Sequence, residues 1–242
     1  MRIPRIYHPD LLQVNETSVL SDEASNHTGR VLRLQPGALL ELFNGDDHRY
    51  QAEITEVTKK KVTVKVLEKV LASSESALNI HLAQGISKGD RMDFVLQKSV
   101  ELGVTSITPL FTERCNVKLS GERLVKKQEQ WQKIVISACE QSGRNTVPEV
   151  KPAINLQTWL QQEYEGLAVT LDPLAEDSFG KLPKHATYHL LIGPEGGFSE
   201  SEIAQTQHYK CHPVQLGPRI LRTETAALAA ITALQSHFGD LA

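Results

Sequence analysis

The stretch Leu191–Phe198 reads LIGPEGGF, and a second stretch, Leu216–Thr225, reads LGPRILRTET. Each follows a short apolar run that predicts a buried strand, and each precedes a helical pattern. Because glycine carries no Cβ atom, backbone N–H and C=O groups in such turns can approach a flat ligand closely. Two turns of this kind on parallel strands would line one crevice at the carboxyl edge of a sheet, where ligands bind in open α/β folds.

Either turn alone would also suit simple chain reversal, for which glycine and proline are common residues. Neither stretch matches G-x-G-x-x-G or the P-loop, so neither indicates a dinucleotide or a nucleoside triphosphate. The two turns together are therefore more informative than either one.

From residue 73 onward, short apolar runs alternate with helical patterns. Strands alternating with helices predict an α/β fold with a largely parallel sheet covered on both faces. The predicted strands are 80–83, 107–111, 168–171, 188–192 and 214–216, and the predicted helices include 92–100, a long helix around 131–138 that ends near Gly143, and 224–237.

End signals accompany two of these helices. Asp90 is a possible N-cap for the helix at 92–100, and Gly103 is a possible stop. Ser199 followed three residues later by Glu202 is a capping-box pattern, which predicts a helix directly after the first glycine turn.

The N-terminal part of the chain has a different pattern of predicted elements. The segments 38–43, 50–57 and 61–68 are rich in β-forming residues and are separated by short hairpin-like connections. Closely spaced antiparallel strands predict a small β-barrel. A small, polar stretch at 71–76 indicates a linker, so we expect one domain over residues 1–72 and a second over 73–242.

The composition excludes several classes of protein. Three cysteines without a C-x-x-C pair argue against a disulfide framework, and the nine histidines show no metal-ligand spacing, so we expect no metal. The sequence shows neither a signal peptide nor a stretch long enough to span a membrane, and we expect a cytoplasmic protein.

The net charge of −3 argues against a protein that coats nucleic acid nonspecifically, but basic residues cluster locally in the sequence. Such clusters are often only a solvated surface. The sharper hypothesis is contact with RNA phosphates, which arginine side chains match well. The candidate RNA-binding residues are Arg2, Arg5, Arg30, Arg33, Lys88 and Arg91.

Taken together, GPEGGFS followed by LGPRILRTETA resembles the signature of the bacterial 16S rRNA uridine-N3 methyltransferase family, in the SPOUT class of methyltransferases. The resemblance extends upstream to Gln97–Val104, Glu113-Arg114, Glu140–Arg144 and Arg30–Arg33, and so covers nearly the whole chain. It implies a PUA-like N-terminal barrel and a SPOUT-type α/β domain with a deep C-terminal trefoil knot.

The resemblance also implies S-adenosyl-L-methionine as the methyl donor, bound between the two turns, with Leu171-Asp172-Pro173 as a further wall. Leu216, Ile220 and Leu221 could equally be ordinary core residues. The implied cofactor-binding residues are Leu171, Gly193, Glu195, Gly196, Gly197, Leu216, Gly217, Ile220, Leu221, Thr223, Thr225 and Ala226.

Methylation of uracil N3 requires loss of its proton, which spreads negative charge over both carbonyl oxygens. Arg222 is the candidate for stabilising that charge, since arginine stays protonated and cannot be the base. Glu195 and Glu224 are the nearest carboxylates, and either could accept the proton or simply form an ion pair. A mechanism without a protein base remains open.

The implied partners are small-subunit rRNA, within the 30S particle or an assembly intermediate, and a second copy of the chain in a homodimer. The motif Glu140–Arg144 could form part of the dimer junction or merely end a helix at Gly143. Two alternatives stand beside this interpretation: a SPOUT methyltransferase acting on another RNA position, and a non-catalytic RNA-binding assembly factor.

Overall fold

The computed structural model describes residues 3–241, and the chain folds into two compact units. The first unit contains the chain up to Glu75 together with Cys139–Val147, and the second contains Ser76–Ala138 and Pro148 onward. Arg2, a predicted RNA-binding residue, lies outside the described residues. No helix within residues 3–241 is long and apolar enough to cross a membrane.

The first unit is built on a five-stranded sheet with the order β1-β3-β4-β5-β2. Its elements are β1 (Arg5–Tyr7), β2 (Thr17–Val19), α1 (Asp22–Asn26), a π-helical turn (His27–Val31), β3 (Leu39–Phe43), β4 (His48–Val57) and β5 (Val62–Leu71). The three predicted strands are confirmed as the antiparallel run β3-β4-β5.

The sheet is not antiparallel throughout, because β1 pairs with β3 in parallel. A parallel pair needs a long crossover connection, and here β2, α1 and the π-helical turn supply it. Inward residues alternate along β3, β4 and β5, as the period of a half-buried strand requires. They form one core in which the following side chains are at most 1% exposed: Ile6, Leu40, Leu42, Tyr50, Ala52, Ile54, Val62, Val64 and Val66.

The segment Cys139–Val147 belongs to the first unit through polar interactions as well as packing. Arg144 is 4% exposed and forms an ion pair with Glu75. Arg5 donates to the carbonyl oxygen of Arg144 and to Oδ1 of Asn145. Nothing in the local sequence marks this segment, because these interactions join residues far apart in the chain.

The second unit is built on a seven-stranded sheet with the order β12-β10-β11-β6-β7-β8, and β9 also pairs with β7. Its elements are β6 (Asn79–Gly85), α2 (Asp90–Glu101), β7 (Ser106–Phe111), α3 (Gly121–Ser142, which belongs to the first unit from Cys139), β8 (Glu149–Val150), β9 (Ile154–Asn155), α4 (Leu156–Leu160), β10 (Leu167–Leu171), a 3-10 turn (Phe179–Lys181), β11 (Thr187–Ile192), α5 (Glu200–His208), β12 (His212–Val214) and α6 (Thr223–Phe238).

Every strand pair in this sheet is parallel, which confirms the prediction from alternating strands and helices. The last strand ends at Val214 rather than at Leu216. Its partner strand β10 ends at Leu171, which pairs with Val214, and the chain turns at Gly217 soon afterwards. Asp90 is the first helical residue of α2, and its expected N-cap position is occupied by Gly89, whose φ is 58°. The short strands β8 and β9 were not predicted.

Candidate functional site

The carboxyl ends of β10, β11 and β12 lie side by side, because these strands are adjacent and parallel. The loops that follow them line one cavity with a volume of about 610 Å³. This is the edge at which open α/β sheets bind ligands. The two glycine turns of the sequence are therefore walls of a common cavity.

The turn after β11 is held in shape by its own backbone and by Arg114. The N–H of Gly197 donates to the carbonyl oxygen of Pro194 over 2.9 Å, and Gly197 has a φ of 67°, which favours glycine. Nη1 of Arg114 donates to the carbonyl oxygens of Gly196 and Phe198, each over 3.2 Å. A Cβ atom at Gly196 would lie 2.9 Å from Cβ of Arg114, so glycine permits this close approach.

The helix after this turn begins with the predicted capping box. Oγ of Ser199 accepts from the N–H of Glu202, and Oε2 of Glu202 accepts from the N–H of Ser199. Oε1 of Glu202 also accepts from the N–H of Glu113 over 2.8 Å. The Glu202 carboxylate is 3% exposed and joins the start of α5 to the chain beyond β7.

The turn after β12 supplies the opposite wall. Gly217 has a φ of 67°, and Ile220 extends its side chain into solvent with 87% of its area exposed. Arg222 is the exposed N-cap residue of α6, and Thr223, the first helical residue, is buried.

The loop after β10 forms the third wall, as the sequence predicted for Leu171-Asp172-Pro173. The N–H of Asp172 donates to the carbonyl oxygen of Val214, which ties this loop to the end of β12. Oδ1 of Asp172 accepts from the N–H of Leu174 over 2.9 Å, and the carboxylate is 8% exposed. A buried acidic group therefore lies in the cavity lining.

Most of the predicted cofactor-binding residues line this cavity. Those brought together are Leu171, Gly193, Glu195, Gly196, Gly197, Leu216, Gly217, Ile220, Leu221, Thr223 and Ala226. Thr225 is not among the lining residues, because the helical turn of α6 directs it to solvent while Ala226 is buried. The lining residues without a predicted role are Arg114, Leu174, Ile192, Pro194, Phe198, Glu200, Ile203 and Arg219.

The three candidate catalytic residues lie in different surroundings. Glu195 lines the main cavity, and its Oε1 accepts from Nη1 of Arg91 and from the N–H of Lys88, each over 3.0 Å. Arg222 and Glu224 are not among the residues that line the cavity. Thr223, which lies between them in the chain, does line it. Oε2 of Glu224 is buried without a hydrogen-bond partner among the described residues.

Glu195 also borders a second, smaller cavity of about 410 Å³. Its other lining residues are Lys88, Asp90, Arg91 and Asn116. This cavity therefore brings two of the predicted RNA-binding residues next to the wall of the main cavity.

The basic residues of the first unit differ in their interactions. Arg5 has a side chain 12% exposed; it forms an ion pair with Glu41 and stacks its guanidinium over the ring of Phe43. Arg30 and Arg33 are exposed, and Nη2 of Arg30 donates to the carbonyl oxygen of Lys59. Within residues 3–241, no group of His, Cys, Asp and Glu side chains could hold a metal ion.

Known proteins similar to this chain share both units. Residues 74–235 match the family described as the RNA methyltransferase domain, and residues 20–67 match the RNA methyltransferase PUA domain. Ribosomal RNA small subunit methyltransferase E from Buchnera aphidicola of Schizaphis graminum is 45% identical over 242 residues, which cover 99% of this chain and 98% of that protein. The protein of the same name from Bacillus subtilis is 32% identical over 90% of this chain and 89% of its own length.

Two solved structures are similar over their whole length. One is a putative methyltransferase from Legionella pneumophila in complex with the bound cofactor SAM, with a TM-score of 0.97, 47% identity and 100% of both chains covered. The other is ribosomal RNA small subunit methyltransferase E from Neisseria gonorrhoeae bound to S-adenosyl methionine, with a TM-score of 0.93, 43% identity and 100% of both chains covered.

The parallel α/β unit, its cavity at the carboxyl edge and these matches define an RNA methyltransferase of the SPOUT class. Within that class, the chain belongs to the family of ribosomal RNA small subunit methyltransferase E. The resemblance found in the sequence is thereby confirmed.

Proposed function

We propose that this chain transfers a methyl group from S-adenosylmethionine to N3 of a uridine in small-subunit rRNA, near the decoding centre. The observation that carries the proposal is the cavity of about 610 Å³ formed by three adjacent strand ends in a chain of this family. The two similar structures named above hold S-adenosylmethionine, and the cavity volume falls within the range of about 300–1,000 Å³ usual for small-molecule sites.

The lining of the main cavity fits this cofactor. Leu216, Leu221 and Ala226 provide apolar surface for an adenine ring, and the glycines of the first turn place no side chain between their backbone and the ring edge. Asp172 adds a negative charge, which favours a cationic ligand. When bound, the cofactor supplies an electrophilic methyl group on a positively charged sulfur.

The second cavity suits the RNA side of the reaction. It is lined by polar side chains and shares Glu195 with the main cavity. Lys88 and Arg91 can contact phosphate oxygens, and the amide of Asn116 can both donate to and accept from a base edge. A nucleotide held there would present its base beside the donor, after leaving any pairing that hides N3.

Charge stabilisation and proton removal are assigned to different side chains. Arg222, exposed at the start of α6, stabilises the negative charge that develops on the uracil oxygens. Glu224 is the better candidate base on its surroundings, because its Oε2 lacks a partner among the described residues, whereas Glu195 is held by Arg91 and Lys88. Loss of the proton to water remains the alternative.

The first unit would grip RNA through Arg30 and Arg33, which are exposed, and through Arg2 near the N-terminus. Arg5 is engaged with Glu41, Arg144 and Asn145, so its main role in this structure is to hold the unit together. The matched PUA domain supports an RNA-binding role for this unit. The substrate would be the 30S particle or an assembly intermediate, in the cytoplasm.

We further propose a homodimer and a deep trefoil knot at the C-terminus. In support of the knot, β12 lies at the edge of the sheet, yet α6 packs against β11 and α2. The chain after β12 therefore returns across the sheet edge. Thr223 at the start of α6 donates to the carbonyl oxygen of Gly193, so the returning segment is fastened to the turn after β11.

The test is methylation of small subunits from cells that lack this gene, followed by mass spectrometry of the nucleosides. Purified protein and S-adenosylmethionine should produce one 3-methyluridine per small-subunit rRNA. A methyl group on a ribose oxygen or on guanine would favour the alternative SPOUT activity. Cofactor binding without any transfer to particles or to rRNA would favour the assembly-factor alternative.

A matched pair of variants locates the donor. Ala226→Leu places a branched side chain in the cavity lining, whereas Ala229→Leu makes the same change at a position of α6 outside the lining. Calorimetry should show a loss of S-adenosylmethionine affinity of at least about 10-fold in the first variant and nearly normal affinity in the second, because only the first fills the site. Equal affinities would place the donor elsewhere.

A further inference from the structure

A buried side-chain amide on β6 joins the turn after β11 to the start of α6, which both contribute to the main cavity. Gln84 is fully buried, and its Nε2 donates to Oγ1 of Thr223 over 2.9 Å and to the carbonyl oxygen of Gly85 over 3.0 Å. Nε2 also approaches the carbonyl oxygen of Gly193 at 3.5 Å. Oγ1 of Thr223 donates to that same carbonyl over 2.6 Å. The end of β11 and the start of α6 thus meet on one glutamine side chain.

The end of β6 also approaches the first turn through its backbone. A Cβ atom at Gly85 would lie 2.4 Å from the nitrogen of Pro194, so glycine is required for this close approach. Gly193 and Thr223 line the cavity, whereas Gln84 lies behind them. The amide therefore acts on the cavity walls from outside the cavity.

One polar atom of this amide has no hydrogen-bond partner within residues 3–241. Oε1 of Gln84 is buried without a hydrogen-bond partner among the described residues. An unsatisfied buried acceptor is unfavourable, so stability alone does not explain an amide at this position. The geometry that the amide imposes on its two partners accounts for its presence better than stability does.

We propose that Gln84 is a positioning residue, which sets the separation of the two glycine turns and thereby the affinity for the methyl donor. This inference rests on the proposed function for the place of the donor. Gln84 is not among the residues that line the cavity, so its effect passes through Thr223 and Gly193.

Two near-isosteric variants test the connection. Gln84→Met and Thr223→Val each remove the polar bridge, and calorimetry should show S-adenosylmethionine affinity reduced about 10-fold or more in each. The double variant should bind no more weakly than the weaker single variant, because both changes break the same bridge. Thr223→Ser retains the hydroxyl and should therefore lose less affinity than Thr223→Val.

A second buried glutamine provides the matched control. Gln235 on α6 is also fully buried, and it bonds to the carbonyl oxygen of Leu102 and to Ser76, away from the turns. Gln235→Met should lower the unfolding midpoint while leaving donor affinity intact. Gln84→Met should instead lower the donor affinity, whatever its effect on the unfolding midpoint, because it removes the bridge between the two turns.

Hydrogen exchange, measured in the absence of S-adenosylmethionine, completes the test. In the protein without cofactor, hydrogen exchange should be faster across Ile192–Ser199 in Gln84→Met than in the unsubstituted chain, and unchanged there in Gln235→Met. Normal affinity in Gln84→Met, or an affinity loss that only follows a loss of stability, would overturn the proposal. If the unsubstituted chain fails to bind S-adenosylmethionine, the proposed function fails instead, which is a separate result.

Discussion

The imidazole rings of His81 and His189 are stacked, with centroids 4.8 Å apart and planes inclined by 15°. The two residues occupy paired positions on β6 and β11, and Ser106 on β7 continues the row with its hydroxyl 2.7 Å from Nδ1 of His81. Nε2 of His189 lies 3.0 Å from the carbonyl oxygen of Glu165, which only accepts, so Nε2 carries the proton. Two histidines are thus packed in a row without a carboxylate in these interactions.

This stack predicts acid-sensitive stability. Burial, then the charges of His189 and Lys151, lower the pKa of His81 to about 4, and burial also lowers the pKa of His189. The unfolded chain therefore takes up protons at a higher pH than the folded chain does. The free energy of unfolding should therefore fall as the pH drops from the ordinary histidine pKa of 6.5 towards 4.

Urea unfolding at a series of pH values measures this effect. His81→Asn retains a polar atom near Ser106 but does not titrate, so its stability should depend less on pH in that range. His208→Asn, at an exposed histidine on α5, serves as the control. If His81→Asn and the unsubstituted chain show the same slope, the stacked pair does not govern acid stability.

The buried Glu202 carboxylate should stabilise the start of α5. Glu202→Gln would direct an amide NH₂ group at a backbone N–H donor of Ser199 or Glu113, and we expect a loss of about 1–3 kcal/mol in the free energy of unfolding. Glu200→Gln, an exposed change on the same helix, should have little effect on unfolding. Equal stability of both variants in urea would show that the negative charge and second acceptor oxygen of Glu202 contribute nothing.

Arg222 should affect transfer rather than donor binding. We expect Arg222→Ala to lower the single-turnover methylation rate by about 10²-fold or more, because a charge-stabilising donor is lost. Calorimetric affinity for S-adenosylmethionine should stay nearly normal, since Arg222 is not in the cavity lining. Arg222→Lys should recover part of the rate. An unimpaired Arg222→Ala enzyme would remove this residue from the mechanism.

Arg30 and Arg33 should contribute phosphate contacts. Replacing both by alanine should weaken binding to small-subunit rRNA and reduce the slope of log affinity against log salt by about 1.5. Arg123→Ala combined with Lys126→Ala, at two exposed positions of α3, removes the same charge and provides the comparison. An unchanged salt slope in the double variant would move the RNA-binding surface away from this part of the first unit.

Much of the architecture could be predicted from the sequence, because residues close together in the chain indicate where strands, helices and turns form. Apolar and polar residues alternate along Val62–Val66, and apolar residues recur at helical spacing along 92–100. Each pattern reflects which side of the element is buried, and the predicted strand and helix are both confirmed. The Ser199–Glu202 capping box depends on residues three apart, so the sequence reveals it directly. The two glycine turns were recognisable because their residues are contiguous.

Other features were decided by the tertiary structure. β1 pairs in parallel with β3 after a long crossover, and Cys139–Val147 belongs to the first unit without any local signal. Thr225 lies within the recognised motif but outside the cavity lining, because the rotation of α6 turns it to solvent.

The sequence by itself determined most of the longer helices and strands, the two turns and the family, since each of these depends on neighbouring residues or on a contiguous motif. Only the tertiary structure decided that Arg114 lines the cavity and that Gln84 lies behind it. Gln84 and Thr223 are 139 residues apart in the chain, and the order of strands in the sheet brings them together. Periodicity indicates which face of an element is buried, but it does not indicate which distant element covers that face.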